Sequence, residues 1–346
     1  MAGHLAPDQH DSLPDVPEPS ETSRLFGHGE AAAHLAAAYR AGKLHHGLLL
    51  TGPKGIGKAT LAFHLAYHLL RYPIAADAPA TLAEPDPDSA LARQIASGAH
   101  PSVLHLTKPY DEKTKKFRTA ITVEEVRRVA RFLAMRTHDD SYRIVIVDSA
   151  DDLNRNAANA LLKNLEEPPS RAVFVLISHM PGGLLPTIRS RCQQIRLAPL
   201  GRDDLATAMS LAKPGGATDD ALLQAAEGSP RTAILMTEYG GLELAQAADD
   251  YLGKARRDPA DAYKLADAVT GRERDIQFEL LNTYLLDRIA SAAGEAARSG
   301  DARRADRLAE LWQQASTTIG ETTTYNLDRR QHVVALVERV AAALQD

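Results

Sequence analysis

Residues 51–59 carry the residue types of a phosphate-binding loop. They read Thr-Gly-Pro-Lys-Gly-Ile-Gly-Lys-Ala, which matches G-x-x-x-x-G-K with Ala59 where Ser or Thr normally follows. Glycines let backbone N–H groups wrap a phosphate, and Lys58 would reach its outer oxygens. The residues of this loop expected to contact nucleotide are Gly52, Pro53, Lys54, Gly55, Ile56, Gly57, Lys58, Ala59 and Thr60.

Ala59 changes what chemistry the loop can do. The Ser or Thr hydroxyl at this position normally binds the magnesium ion. Thr60 follows one residue later, about 100° around a helix, and is a poor substitute. Two interpretations stay open: the loop binds nucleotide, or it keeps the shape of a nucleotide site without its ligand.

A carboxylate follows a second apolar run, at Asp148. Residues 143–148 read Arg-Ile-Val-Ile-Val-Asp, which predicts a buried parallel strand that ends in a carboxylate. In nucleotide-binding α/β folds that carboxylate lies opposite the phosphate loop and holds the metal. The next residue is Ser149, whose hydroxyl is not a base at neutral pH. We expect Asp151 and Asp152 to begin the following helix near its positive end.

Alternating strands and helices must position these groups. Leu48–Leu50 predict a buried strand before the loop, and leucines every fourth residue from Leu61 predict a helix after it. Further strands are expected at 103–106, 172–177 and 194–197. Such βα alternation predicts an α/β fold, with a parallel sheet and helices on both faces.

The chain divides by composition into four segments. Residues 1–22 are rich in Pro, Asp, Glu and Ser and are interpreted as a disordered tail. Residues 23–198 form the α/β core, and a small helical lid is expected over 199–250. The apolar spacing of residues 251–346 predicts an all-helical domain.

Composition excludes several classes of protein. The chain has 346 residues, a net charge of −5 and 5% aromatic residues, which argues against a surface that grips nucleic acid throughout. Its one cysteine, Cys192, excludes an internal disulfide and a multi-cysteine zinc site, and is expected to be a small buried residue. No segment has the pattern of a signal peptide or a membrane span, so we expect a cytoplasmic protein.

Three motifs together are far more specific than the loop alone. They are Gly52–Lys58 with Asp148, the run N-A-L-L-K-N-L-E-E-P-P at 159–169, and Ser-Arg-Cys at 190–192. With these motifs the chain resembles the AAA+ clamp-loader family of bacterial DNA polymerase III, and its delta-prime type above all. The resemblance covers residues 24 to about 235 and is only architectural beyond them.

The resemblance implies an architecture and a set of partners. It implies an AAA+ P-loop core, a helical lid, and a helical collar that joins five subunits into an open ring. The other subunits are the tau/gamma motor and delta, and the ring places the sliding clamp on primer–template DNA. Arg191 matches the arginine finger that reaches a neighbour's ATP. Ser178 and Arg231 match the positions that sense nucleotide in the core and in the lid.

Two departures from the family pattern point to a non-motor subunit. Ala59 and Ser149 remove the metal hydroxyl and the catalytic carboxylate together, whereas the tau/gamma motor keeps both. The alternatives are an ATP-hydrolysing clamp-loader motor or related DNA-processing ATPase, and a separate nucleotide-binding regulatory module. The stretch 73–101 lacks the four cysteines that hold zinc in relatives, so no zinc is predicted. Whether ATP or ADP occupies the altered loop is left open by the sequence.

Overall fold

The computed structural model describes residues 5–134, 141–212, 220–254, 256–272 and 274–345. They divide into two compact units, Met1–Ala233 and Ile234–Asp346. The predicted boundary between a lid and a collar at residues 250 and 251 stays a prediction.

The first unit contains seven strands within its described residues. They are β1 (Gly47–Thr51), β2 (Val103–Leu106), β3 (Tyr110–Asp111), β4 (Lys116–Phe117), β5 (Arg143–Asp148), β6 (Ala172–Ser178) and β7 (Gln193–Arg196). Helices alternate with them: α1 (Gly29–Arg40), α2 (Lys58–Arg71), α3 (Ala90–Ala96), α4 (Val123–Ala134), α5 (Arg155–Glu166), α6 (Pro186–Arg189), α7 (Arg202–Ala212) and α8 (Asp220–Ala225). Helix α9 (Pro230–Glu238) begins in this unit and ends in the next.

A five-stranded parallel sheet organises this unit, in the order β2-β5-β6-β1-β7. Every residue of β1 and β6 is buried, since helices cover both faces of the sheet. One face packs on α4 and α5 through a core that includes Leu49, Phe174 and Leu161. Helix α2 contacts β5 and β6. The parallel α/β fold predicted from the apolar runs is confirmed.

Residues 5–22 differ from the sequence interpretation, and residues 1–4 of the expected tail lie outside the described residues. Residues 5–22, expected to be a disordered tail, pack against the core, and Leu13 is only 6% exposed. Ser20 Oγ donates to Ala96 O at 3.3 Å, and His64 Nε2 donates to Thr22 O at 2.9 Å. Composition was misleading because this segment is held by a few isolated buried apolar side chains and by polar contacts to distant residues, which an apolar-periodicity criterion does not detect.

The second unit is helical, as its apolar pattern predicted. Its helices are α10 (Gly241–Leu252), α11 (Pro259–Val269), α12 (Asp275–Arg298), α13 (Ala302–Thr324) and α14 (Arg329–Gln345). Their inward faces form one core, which includes Ala248, Tyr251, Leu252, Leu265, Leu281, Leu285, Ile289, Leu308, Val333 and Val337. Among the helices of the described ranges, none has both the length and the apolarity needed to cross a bilayer.

Candidate functional site

The glycine-rich loop joins β1 to α2, which is the strand–turn–helix setting that its motif requires. Gly52 and Gly55 have φ angles of +150° and +77°. A Cβ at Gly52 would lie 2.4 Å from Leu197 O, and one at Gly55 would lie 2.5 Å from Arg231 Cβ. The tight backbone path therefore requires glycine at both positions. The remaining loop residues are placed as follows: Pro53 and Lys54 exposed, Ile56 buried, Gly57 half-buried at the N-cap of α2, and Ala59 and Thr60 half-buried in its first turn.

The Lys58 ammonium is bound by its own loop. Its Nζ donates to Gly52 O at 2.7 Å and also to Pro53 O. Lys58 is only 3% exposed. Burial lowers its pKa to about 8, against the opposing effect of the Asp148 and Asp151 carboxylates. A phosphate would have to displace these internal partners to reach the lysine.

The ends of β5 and β6 bring polar groups to the same edge of the sheet. Asp148 ends β5, and its Oδ2 lies 3.8 Å from His105 Nε2. Ser149 Oγ donates to Asp152 Oδ2 at 3.0 Å. The residue after the strand-end carboxylate is therefore a hydroxyl donor with a carboxylate partner, and it cannot activate a water molecule as a base.

Asp151 is one of two residues near the loop whose positions sequence reasoning missed. It was expected to begin the next helix, but that was wrong: it lies in a 3₁₀ turn, and α5 begins later under the side-chain cap of Asn154. Its carboxylate accepts from Ser178 Oγ at 2.7 Å and from His179 N at 2.5 Å. Burial, followed by the nearby Lys58 charge, lowers the pKa of His179 to about 4. Asp151 thus fixes the end of β6 beside the loop.

The buried His28 side chain holds the loop through a hydrogen bond to its backbone. Its Nε2 donates to Ile56 O at 2.7 Å, and burial lowers its pKa. A histidine 28 positions before the loop residue that it holds carries no local sequence signal, so its role could not be found from the motif.

Arg231 lies against the loop at the start of α9, and its partner lies in the N-terminal segment. Its role as a nucleotide sensor stays a prediction. Its Nη1 donates to Asp11 O at 2.5 Å and lies 4.0 Å from Asp11 Oδ2. The neighbouring Ser229 Oγ donates to Lys54 O at 3.1 Å. These contacts join the first turn of α9 to the phosphate-binding loop.

Arg191 lies at the opposite edge of the sheet. It precedes β7, whose first residue pairs with Leu48, so Arg191 is next to the beginning of β1. The loop follows the end of β1, about 15 Å away along a five-residue strand. Arg191 Nη2 contacts Glu166 Oε1 at 2.7 Å, and Nη1 donates to Thr187 O at 3.1 Å. The carboxyl ends of the strands therefore carry four of the predicted site residues: Lys58, Asp148, Ser178 and Arg231. Arg191 lies at the amino ends of the strands instead.

Cys192 is half-buried beside Gly47. Burial raises the pKa of its thiol to about 11, so the thiolate that a nucleophile requires is suppressed at neutral pH. This agrees with its interpretation as a packing residue.

The residues around the loop do not fit a catalytic magnesium–nucleotide site. Ala59 offers no metal ligand, and the charges of Lys58 and Arg231 already have internal partners. Within the ranges that the structure describes, no group of three or more His, Cys, Asp or Glu residues could hold a metal ion. The absence of zinc stays a prediction.

Comparison with known proteins identifies the family. The model of the family "DNA polymerase III, delta subunit" matches residues 27–201, just over half of the chain. DNA polymerase III subunit delta' of Pseudomonas aeruginosa is 41% identical over 150 residues, 43% of this chain and 42% of that protein. DNA polymerase III subunit delta' of Escherichia coli is 28% identical over 270 residues, 76% of this chain and 75% of that protein.

A solved structure, a DNA polymerase III gamma subunit-related protein of Thermotoga maritima, aligns over 90% of this chain and 99% of its own. The TM-score is 0.43 and the sequence identity is 17%. The alignment with the Pseudomonas relative spans less than half of that protein's length.

The parallel sheet and the glycine-rich loop between β1 and α2 define a P-loop α/β domain. The chain belongs to the DNA polymerase III delta-subunit family. The resemblance carried by the three sequence motifs is therefore confirmed.

Proposed function

We propose that this chain is a non-motor subunit of the DNA polymerase III clamp loader, of the delta-prime type. In this role it helps to load the sliding clamp on primed DNA during replication. Family membership supports the proposal, and so do the delta' names of its relatives. The altered loop supports it as well, because Ala59 and Ser149 leave the chain without a metal hydroxyl and a catalytic base.

The position of Arg191 carries the proposal most directly. The side chain is 36% exposed and lies at the sheet edge away from its own phosphate-binding loop. It therefore cannot act on a nucleotide held by that loop. An exposed guanidinium of this kind is suited to the ATP of an adjacent subunit, where it would neutralise charge that develops on the transferring phosphate.

The partners follow from the same assignment. They are the tau/gamma motor and delta subunits in a five-subunit ring, with the helices of residues 251–346 as the collar that joins them. The sliding clamp is a further partner, and primer–template DNA is contacted mainly through the complex. The site of action is the cytoplasm.

The alternative is an ATP-hydrolysing clamp-loader motor or a related DNA-processing ATPase. The contacts of Lys58 with its own loop and of Ser149 with Asp152 weigh against it. Steady-state ATPase measurement on the isolated chain separates the two. Robust turnover that is lost in Lys58→Ala would overturn the non-motor assignment.

The trans role is tested in the reconstituted complex. Arg191→Ala is expected to lower its ATPase rate by about tenfold or more, since arginine fingers contribute at least this much. Arg189→Ala, two residues earlier and exposed, is the matched control and should leave the rate unchanged. The mass of the complex shows whether both variants assemble. An unchanged rate in an assembled Arg191→Ala complex would remove Arg191 from the site.

A further inference from the structure

Residues 5–22 run across the sheet edge that carries the phosphate-binding loop. After β2, Thr107 Oγ1 donates to Gln9 Oε1 at 2.6 Å. The His10 ring packs edge-on against Phe117, with the centroids 6.5 Å apart. The next residue, Asp11, reaches Arg231 at the start of α9. The segment therefore crosses from the end of β2 to the residues that flank the loop.

The anionic group at the centre of this crossing is the Asp11 carboxylate. Burial alone would raise the pKa of Asp11, but the positive charges around it, Arg231 foremost, hold the pKa below its ordinary value. Lys54 of the loop and Lys108 also act on this carboxylate. Asp11 is thus ionised among cationic groups that surround the loop.

The loop beside Arg231, the partner of Asp11, has the backbone of a phosphate-binding loop. Arg231 packs directly over Gly55, and Ser229 Oγ is bound to Lys54 O at 3.1 Å. Loop glycines and a loop lysine are the groups that receive the phosphates of a nucleoside triphosphate in P-loop proteins, and Arg231 lies directly beside them. Here the same arginine is bound by the carboxylate and main-chain oxygen of one residue of the same chain.

We propose that residues 5–22 occupy the phosphate pocket in cis, with Asp11 taking the place of a nucleotide phosphate at Arg231, so that this segment and a nucleoside triphosphate bind in competition. The ligand that the segment excludes from this pocket is a nucleoside triphosphate. This inference goes beyond the proposed function: it concerns the chain's own pocket, and it does not depend on Arg191.

The test is equilibrium binding of fluorescent mant-ATP with Mg²⁺ to the isolated full-length chain. Leu13→Asp places a charge at a side chain that is 6% exposed and should release the segment. Leu5→Asp adds the same charge at a side chain that is 52% exposed and serves as the matched control. We expect Leu13→Asp to bind mant-ATP about tenfold or more tightly than the parent, the gain when an occupant that fills over nine-tenths of the pockets is removed.

Three further variants make the result specific. Asp11→Ala should tighten binding by less than Leu13→Asp, because the main-chain oxygen of residue 11 can still hold Arg231. Lys58→Ala added to Leu13→Asp should abolish the gain. A chain without residues 2–18 should bind as tightly as Leu13→Asp, and a synthetic peptide of residues 5–22 should displace mant-ATP from it. Circular dichroism shows whether each variant is folded.

Equal binding by the parent and by the folded released variants would overturn the proposal, as would the absence of binding in all of them. A gain that survives Lys58→Ala would do so too, since binding would then lie outside the loop. These measurements need no partner subunit, so their failure is distinct from a failure of the trans role of Arg191.

Discussion

The Arg191 guanidinium lies 2.7 Å from the Glu166 carboxylate, at the sheet edge opposite the phosphate-binding loop. Glu166 ends α5 and belongs to the L-E-E-P-P run, whereas Arg191 belongs to the Ser-Arg-Cys motif. The two most specific motifs of the chain therefore meet in one ion pair. This pair, together with the bond from Arg191 Nη1 to Thr187 O, orients the arginine.

Replacement of Glu166 should impair the arginine without unfolding the protein. Glu166→Ala is expected to lower the ATPase rate of the reconstituted complex several-fold, less than Arg191→Ala does, because the arginine keeps its charge but loses its orientation. Both side chains are partly exposed, so the free energy of unfolding should change by less than about 1 kcal/mol. Glu167→Ala, exposed and adjacent, is the control. A rate equal to that of the parent would show that the ion pair does not position Arg191.

The buried Lys58 should make stability depend on alkaline pH. Its folded pKa of about 8 lies below the ordinary 10.5, so between these values the unfolded chain holds a proton that the folded chain has released. Stability therefore rises with pH across this window, by roughly 3 kcal/mol at most. We expect the free energy of unfolding of the parent, relative to Lys58→Met, to rise from pH 8 to pH 10.5 in urea titrations.

The exposed Lys43 supplies the control for this measurement, since Lys43→Met removes the same group from a solvated position. The difference between the parent and Lys43→Met should stay nearly flat over the same pH range. A flat difference for Lys58→Met as well would show that the Lys58 ammonium is solvated in solution.

Loss of the Ser178 hydroxyl should destabilise the first unit. Ser178 is fully buried, and its Oγ is one of the donors to Asp151. Ser178→Ala leaves the carboxylate with one donor fewer and should cost about 1–3 kcal/mol in urea unfolding. Ser190→Ala removes an exposed hydroxyl bonded to Thr187 O and should cost less than about 0.5 kcal/mol. Equal costs for both variants would contradict the role of the Ser178–Asp151 bond.

The helical second unit should be required for assembly. Ala248, Tyr251 and Leu252 lie in its core, so a cut at residue 251 would disrupt α10. A chain that ends at Tyr239 keeps α9 and removes α10 to α14 entirely. We expect this chain to fail to co-purify with the other clamp-loader subunits, while circular dichroism still shows the helices and strands of the first unit. Co-purification of the shortened chain would show that the collar assignment is wrong.

Buried strands were the most predictable elements of the fold. The expected ranges of β2 and β5 coincide with those observed. The reason is clearest for β5, since a strand covered on both faces reads as an unbroken apolar run. The start of α5 was less predictable. The Asp151 and Asp152 pair resembles a helix beginning, but Ile121 pairs with Leu153 and holds the turn, so the helix begins after Asn154.

By itself, the sequence determined the glycine-rich loop, the parallel α/β core, the helical segment of residues 251–346 and the loss of the metal hydroxyl at Ala59. These features depend on residue type, close spacing and local periodicity, which are written along the chain. Only the tertiary structure decided which partner each charged group has. Asp11 and Arg231 are 220 positions apart. Such pairs form only when the tertiary fold brings distant segments together. Local residue patterns therefore do not predict them.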